Sequence, residues 1–166
     1  MRHTRCAAVD VHYPDAGGAN AALVLAAGPA FAEITGEHVA RLDEVEPYRP
    51  GAFYLRELPA MRAVLRRAGP VDLLVVDGYV HLDPDGRPGL GAHAHEEFGV
   101  PVIGVAKTAF RTATHAIPVL RGKAVRPLHV TAIGLAPDEA ARIVRTMAGP
   151  HRLPDALRRV DRLSRE

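Results

Sequence analysis

The sequence predicts an α/β fold with a mixed central sheet. Two observations carry that prediction: short alternating segments joined by tight turns open the chain, and near-continuous apolar runs at 71–77 and 101–106 read as strands covered on both faces. A third is helical spacing between and after those runs. At 166 residues the chain has the length of one domain, so residues 1–166 are expected to form a single unit with an Arg-rich tail over 150–166.

The elements follow in order. CAAVDVH at 6–12 is a short apolar strand interrupted by Asp10, and PDAGG at 14–18 is a turn. NAALVLAAG at 20–28 returns as a second strand, and FAEITGEHVARL at 31–42 supplies a third, making an antiparallel meander. EVEPYRPG at 44–51 is a proline-punctuated loop. Over 53–68 the period becomes helical, with Leu55, Leu58, Met61, Val64 and Leu65 on one face and Pro59 in the tolerant first turns.

The strand at 71–77 ends in Asp-Gly, the kind of strand end where ligands bind in open α/β sheets. A Gly-rich loop leads to a short helix through AHAHEEF, then to PVIGVA, a buried strand that ends at Lys107. Residues 117–133 read as two strands around a turn at 122–126, and a helix runs from Pro137 to Met147. The predicted order is β-β-β-α-β-α-β-β-β-α, with room for a further short helix in the tail.

Composition narrows the function classes. An apolar fraction of 48% with 24% charged residues is ordinary for a globular chain, and a net charge of +2 neither demands nor excludes a polyanionic substrate. The single Cys6 has no disulfide partner and no metal-ligand spacing. No apolar run reaches the ~18 residues of a membrane span, and MRHTRC leads directly into the first strand, so a cytoplasmic protein without membrane contact is expected. There is no GxGxxG after the first strand, no GxxxxGK[ST] and no GxSxG, which removes dinucleotide, P-loop and simple hydrolase readings. His93 and His95 stand two apart, a spacing that does not share a helical face and makes a poor zinc pair.

Three carboxylates remain. Asp10 interrupts an apolar strand, Asp77 ends the most hydrophobic one, and Glu57 lies in the first turns of a helix. Carboxylates among core residues are costly unless something positive sits between them, and a divalent cation with oxygen ligands is the natural partner. Each also has a plain structural reading: a solvent-facing position for Asp10, an Asp-Gly turn for Asp77, helix-dipole stabilisation for Glu57. Lys107, one residue past a buried strand, can neutralise a phosphate or simply face water. Mg²⁺ or Mn²⁺ at such a site can activate water and stabilise charge on a phosphoryl oxygen.

These segments resemble the endonuclease V family, which nicks nucleic acid near deaminated purines such as inosine. The resemblance runs from Ala7 to about Pro154 through AAVDV, YRPG with F-x-x-R-E-x-P, LLVVDG, PGLGAHAH, PVIGVAKT, PLHVTAIG and GPHRLPDALR. It implies an RNase H-like fold, Asp10, Asp77 and Glu57 as metal ligands, and Lys107 as the lysine of the family's G-V-A-K segment. It implies further that Tyr48, Pro50 and Gly51 form a wedge entering the duplex, and that Gly78, Leu90 and Gly91 shape the pocket for the displaced base. DNA or RNA containing a deaminated base is the implied partner, with Mg²⁺ or Mn²⁺ as cofactor.

Two departures stand out. Ile133 falls where the resemblance puts the family's active-site histidine, before the last helix, and Tyr79 and Val80 replace its Gly-rich pair after Asp77. They raise two rival expectations: a nucleic-acid-binding protein with weakened or lost catalysis, and a metal-dependent nuclease of another specificity.

Overall fold

The computed structural model describes residues 5–47, 49–50, 52 and 54–166. Among them, three strands open the chain, β1 (Cys6–His12), β2 (Ala19–Ala26) and β3 (Ile34–Leu42), followed by helix α1 (Tyr54–Ala68). Then come β4 (Leu73–Asp77), α2 (Leu90–Phe98), β5 (Val102–Ala106), β6 (Ile117–Val119), β7 (Leu128–Ile133), α3 (Pro137–Thr146) and α4 (Asp155–Arg165). The strands form one sheet in the order β3-β2-β1-β4-β5-β7-β6. β1, β4 and β5 are parallel neighbours, whereas the β1–β2–β3 meander and the β5–β7–β6 edge are antiparallel. This is the mixed α/β sheet that the sequence predicts.

The differences have local causes. Phe31 does not enter β3: it sits at a positive φ of 51° in a turn, with its ring buried. α2 starts two residues ahead of AHAHEEF because Gly91, in its first turn, packs directly on Val80, where an added Cβ would lie 2.7 Å from Val80 Cγ2. The Arg-rich tail contains an 11-residue helix, α4, entered through Pro154 with Asp155 in its first turn and Arg162 and Arg165 in its last. Its Ala156, Val160 and Leu163 are buried at helical spacing, so the segment is an amphipathic element of the core.

Alternation along the strands sorts the core into two layers. Cys6 and Ala8 of β1, Leu73 and Val75 of β4, and Ile103 and Val105 of β5 face α3 and α4. Ala7, Val9, Leu74, Val76 and Val102 face α1 and α2. Burying a Leu or Val in such a layer is worth about 1.5–3 kcal/mol; β2, β4 and β5 each contribute two or more, and β1 adds Val9.

One buried cation fixes the seat of α4. Arg121, only 5% exposed, donates hydrogen bonds to the carbonyls of Val144 (2.7 Å), Met147 (2.9 Å), Gly149 (2.9 Å), His151 (3.1 Å) and Arg145 (3.2 Å). These include the Val144 and Arg145 carbonyls in the last turn of α3, where Val144 otherwise accepts only a 3.4 Å bond from the Met147 amide. The guanidinium thereby holds the whole α3–α4 connection. Arg121→Met is expected to lower the unfolding free energy by about 3 kcal/mol, because the carbonyls lose a charged donor in a dry site; urea denaturation measures it.

Candidate active site

Side-chain direction follows from register. β1 and β4 are parallel, with Val9 paired to Val76, so Asp10 and Asp77 emerge one residue beyond, side by side at the carboxyl ends of neighbouring strands. Both continue the series that faces α3 and α4. β5 pairs Val105 with Asp77, and Lys107, two residues on, lies on that same face. Three residues far apart in the chain thus converge at one sheet end.

Two helices complete the site from opposite faces. Glu57 of α1 is 7% exposed, and its carboxylate lies close enough to Asp10 and Asp77 to be raised by their charges. Asp161 of α4 approaches Asp10 from the other face, closely enough for each carboxyl to alter the proton affinity of the other. All four carboxylates, with Tyr13, Lys107 and Arg165, line one cleft of about 210 Å³. Asp161 is the site residue that the sequence hides. It sits in a tail whose charge density reads as solvated surface, and only the amphipathic spacing of Val160 and Leu163 signals a helix whose flank could turn inward.

Charge crowding governs the chemistry of the cleft. Burial drives the Glu57 carboxyl up to about 8; Asp10 and Asp77 add to the rise, while the neighbouring Tyr13 hydroxyl and Arg56 oppose it. That hydroxyl faces Glu57 without closing a hydrogen bond of ordinary geometry, and Arg56 covers the Tyr13 ring at 4.1 Å. Asp10 is also raised, first by burial and then by Asp77 and Asp161, against a hydrogen bond from the Val11 amide of 3.0 Å. Asp161 is lowered despite desolvation, because Arg165 (3.2 Å) and the neighbouring Asp10 carboxyl favour its ionised form. Asp77 is accessible at the mouth yet closely surrounded; burial raises it, Lys107 pulls it down, and Asp161 adds to the rise.

Oxygen donors dominate the cleft, as hard-cation chemistry requires. Among the described residues, however, no three His, Cys, Asp or Glu side chains close into a ready-made metal-binding group. His93 stacks on Tyr54 with ring centroids 3.6 Å apart, and His95 Nδ1 lies 2.7 Å from the Val100 carbonyl.

A second cavity, of about 450 Å³, adjoins the cleft and shares Asp77 and Leu90 with it. Gly78 lines it with φ of +111°, a conformation that a side chain would strain. Leu90 is in its wall, and Gly91 lies behind that wall, where its amide donates to the Tyr79 carbonyl (3.1 Å). Gly104 of β5 permits the close approach of this loop, since a Cβ there would lie 2.6 Å from the Gly78 carbonyl oxygen. The Tyr79 hydroxyl donates to the Thr108 carbonyl (2.7 Å) and accepts from the Phe110 amide (2.9 Å). Tyr54, Tyr79 and Phe110 all line the cavity, although the chain has only four tyrosines and four phenylalanines. Pro50 lies in an exposed turn. Tyr48 and Gly51 fall outside the described residues.

Ile133 does not lie at the acidic end of the sheet. β7 runs antiparallel to β5 and pairs Ile133 with Val102, whereas Ala106, next to Lys107, pairs with His129. Four strand residues, about 13 Å, separate Ile133 from that end. Its side chain packs against the layer under α1 and α2. The element that reaches the carboxylates after β7 is α4, and the group it presents is Asp161.

The raised carboxyls make stability pH-dependent. A folded-state pKa above the unfolded value means that the folded chain holds the extra proton, so in metal-free protein the Glu57 contribution is complete below about pH 4.5 and declines as pH rises towards about 8. Each unit of elevation corresponds to about 1.4 kcal/mol. Glu57→Gln should flatten this decline and be more stable than the parent at pH 8, as read by thermal melts from pH 4 to pH 9.

Residues 1–136 match the endonuclease V family model. The endonuclease V of Thermococcus kodakarensis is 35% identical over 160 residues, covering 95% of this chain and 76% of that protein. The Streptomyces coelicolor endonuclease V is 38% identical over 148 residues, covering 87% of this chain and 60% of its own length. Among solved structures, endonuclease V from Streptomyces avermitilis superposes with a TM-score of 0.83 at 28% identity, covering 99% of this chain and 82% of that one. A Ciona intestinalis endonuclease V bound to DNA superposes with a TM-score of 0.84 at 18% identity, covering 98% of this chain and 84% of that one, a likeness of fold. The chain therefore has the RNase H-like fold and belongs to the endonuclease V family.

Proposed function

We propose that this chain is a divalent-metal-dependent endonuclease that hydrolyses a phosphodiester bond near inosine in DNA or RNA, its 166 residues working as one domain. The observation that carries the reading is the convergence of Asp10, Glu57, Asp77 and Asp161 with Lys107 on one cleft, beside a cavity walled by aromatic rings. The Ciona intestinalis relatives were captured with DNA containing an inosine followed by a ribo-adenosine, which supports the substrate class.

The residues fit a cation by their donor chemistry: burial, and after it the charge of neighbouring carboxylates, raises the Asp10 and Glu57 carboxyls, and a divalent ion offsets both. Asp10 and Asp77 would hold Mg²⁺ or Mn²⁺, with Glu57 and Asp161 directly or through water. When bound, the ion supplies Lewis acidity at a phosphoryl oxygen and lowers the pKa of water.

The chain's own groups do the rest. Hydrolysis joins a water oxygen to phosphorus, releases one ester oxygen and requires a proton to leave the water. Glu57, on the wall of the same cleft, is the carboxylate proposed to take that proton. The Lys107 ammonium offsets charge growing on the phosphate. Gly78, Leu90 and Gly91 bound the space for the displaced base, and Tyr48, Pro50 and Gly51 act as the wedge beside it. The reading of a binding protein without catalysis rests on Ile133, and loses that support because Ile133 stands at the other end of β5.

The test is nicking of matched strands with and without inosine in Mg²⁺ or Mn²⁺. Asp77→Ala should abolish nicking, and Asp161→Asn should lower the rate about 10- to 100-fold. Ile133→His should not raise it. Absence of inosine-directed cleavage of either DNA or RNA across a wide metal and pH screen overturns the proposal.

A further inference from the structure

Three cavities adjoin in sequence. The aromatic-walled pocket shares Asp77 and Leu90 with the acidic cleft, and the cleft shares Asp161 and Arg165 with a third groove of about 490 Å³. That groove runs between the outer face of α4 and the 151–153 segment, and Arg152, Arg158, Arg162 and Arg165 line it. Aromatic rings at one end give way to carboxylates in the middle and to guanidinium groups at the other end.

The arginines of α4 fall into two kinds. Arg159 holds Glu37 through hydrogen bonds of 2.6 and 2.8 Å and also reaches Glu166 at 3.1 Å, while Arg165 holds Asp161. Arg158 and Arg162 are exposed, stand one helical turn apart, and have no acidic partner among the described residues. Like charges at this spacing repel each other on a helix, and an anion between them removes that repulsion. Arg152 is the fixed wall: it donates to the carbonyls of Lys107, Arg126 and Pro127, tying the groove to the end of β5 that carries Lys107.

We infer that Arg158 and Arg162 form a phosphate track, along which the nucleic-acid strand leaves the acidic cleft on the side opposite the base pocket. The inference rests on the proposed function for the direction of the strand, and on the groove alone for its affinity for a polyanion. The partner is the sugar-phosphate backbone, because the groove presents four planar, multi-donor cations and, of ring side chains, only His151. Nucleotides in the track add affinity without sequence preference, whereas the pocket reads the base.

The test is fluorescence anisotropy with labelled single-stranded oligodeoxynucleotides in the non-cleaving Asp77→Ala background. Strands carry inosine near one end or the other and are lengthened about four nucleotides at a time. Affinity should rise with length on one side of the inosine only, and Arg158→Gln/Arg162→Gln should remove that gain. Because the Gln pair leaves two phosphates without a cation, the slope of log affinity against log salt should shrink by about 1.4, so from about 50 to about 200 mM salt the parent loses roughly sevenfold more affinity than the variant. Arg158→Lys/Arg162→Lys should retain the salt slope, and circular dichroism should show all variants folded. An unchanged slope and length dependence in the Gln pair overturns the track, whether or not the enzyme nicks inosine strands. If binding keeps its dependence on the arginines while inosine affects neither binding nor cutting, the track stands and the proposed function falls.

Discussion

The parallel pairing of β1 with β4 is the constraint on which the rest of the site depends. Parallel neighbours run to the same edge of a sheet, so Asp77, last on β4, and Asp10, one residue past the last β1–β4 pair, must emerge together, about 4.8 Å apart in the strand-to-strand direction. An antiparallel pairing would send Asp10 and Asp77 to opposite edges. β2 joins β1 through a tight turn, but β4 reaches β1 only after the meander and α1 have been completed, so the crossover that buries α1 also brings Glu57 to that edge.

The same geometry makes the site electrostatically unfavourable when empty of positive charge. Asp10, Glu57 and Asp77 all have pKa values raised by burial, and Lys107 directly opposes the rise only at Asp77. A fold selected for stability alone would replace one of these carboxylates with an amide or an apolar group. Their convergence instead crowds carboxylate oxygens into one small cleft, at the expense of stability that falls as pH rises.

α4 shows how a surface helix comes to carry part of a buried site. Its apolar stripe docks on β1 and β2, but the angle and depth at which Asp161 enters depend on the connection from α3. Arg121 holds that connection by its carbonyls, and Arg152 ties its far end to the segments after β5 and before β7. Neither arginine lies beside another charge in the sequence that would mark it as structural. Both are charged groups whose work is to satisfy backbone oxygen atoms.

Much of the architecture was legible in the chain because its signals are local. Period-2 alternation with tight turns marked the meander, apolar runs marked β4 and β5, and the ordered motifs around Asp10, Glu57, Asp77 and Lys107 marked the family. Long-range geometry was not legible. Ile133 and Asp161 show the difference: the family resemblance put Ile133 in the place of a functional histidine, but antiparallel pairing carried it to the far end of β5, while the Arg-rich tail, read as having room for a short helix and no site residue, brought Asp161 to Asp10. By itself the sequence determined the elements, the two core layers and three of the four carboxylates, since these follow from periodicity and motif. Only the tertiary structure decided which strand ends coincide and which flank of α4 turns inward, because register and helix docking depend on packing between segments that no local pattern connects.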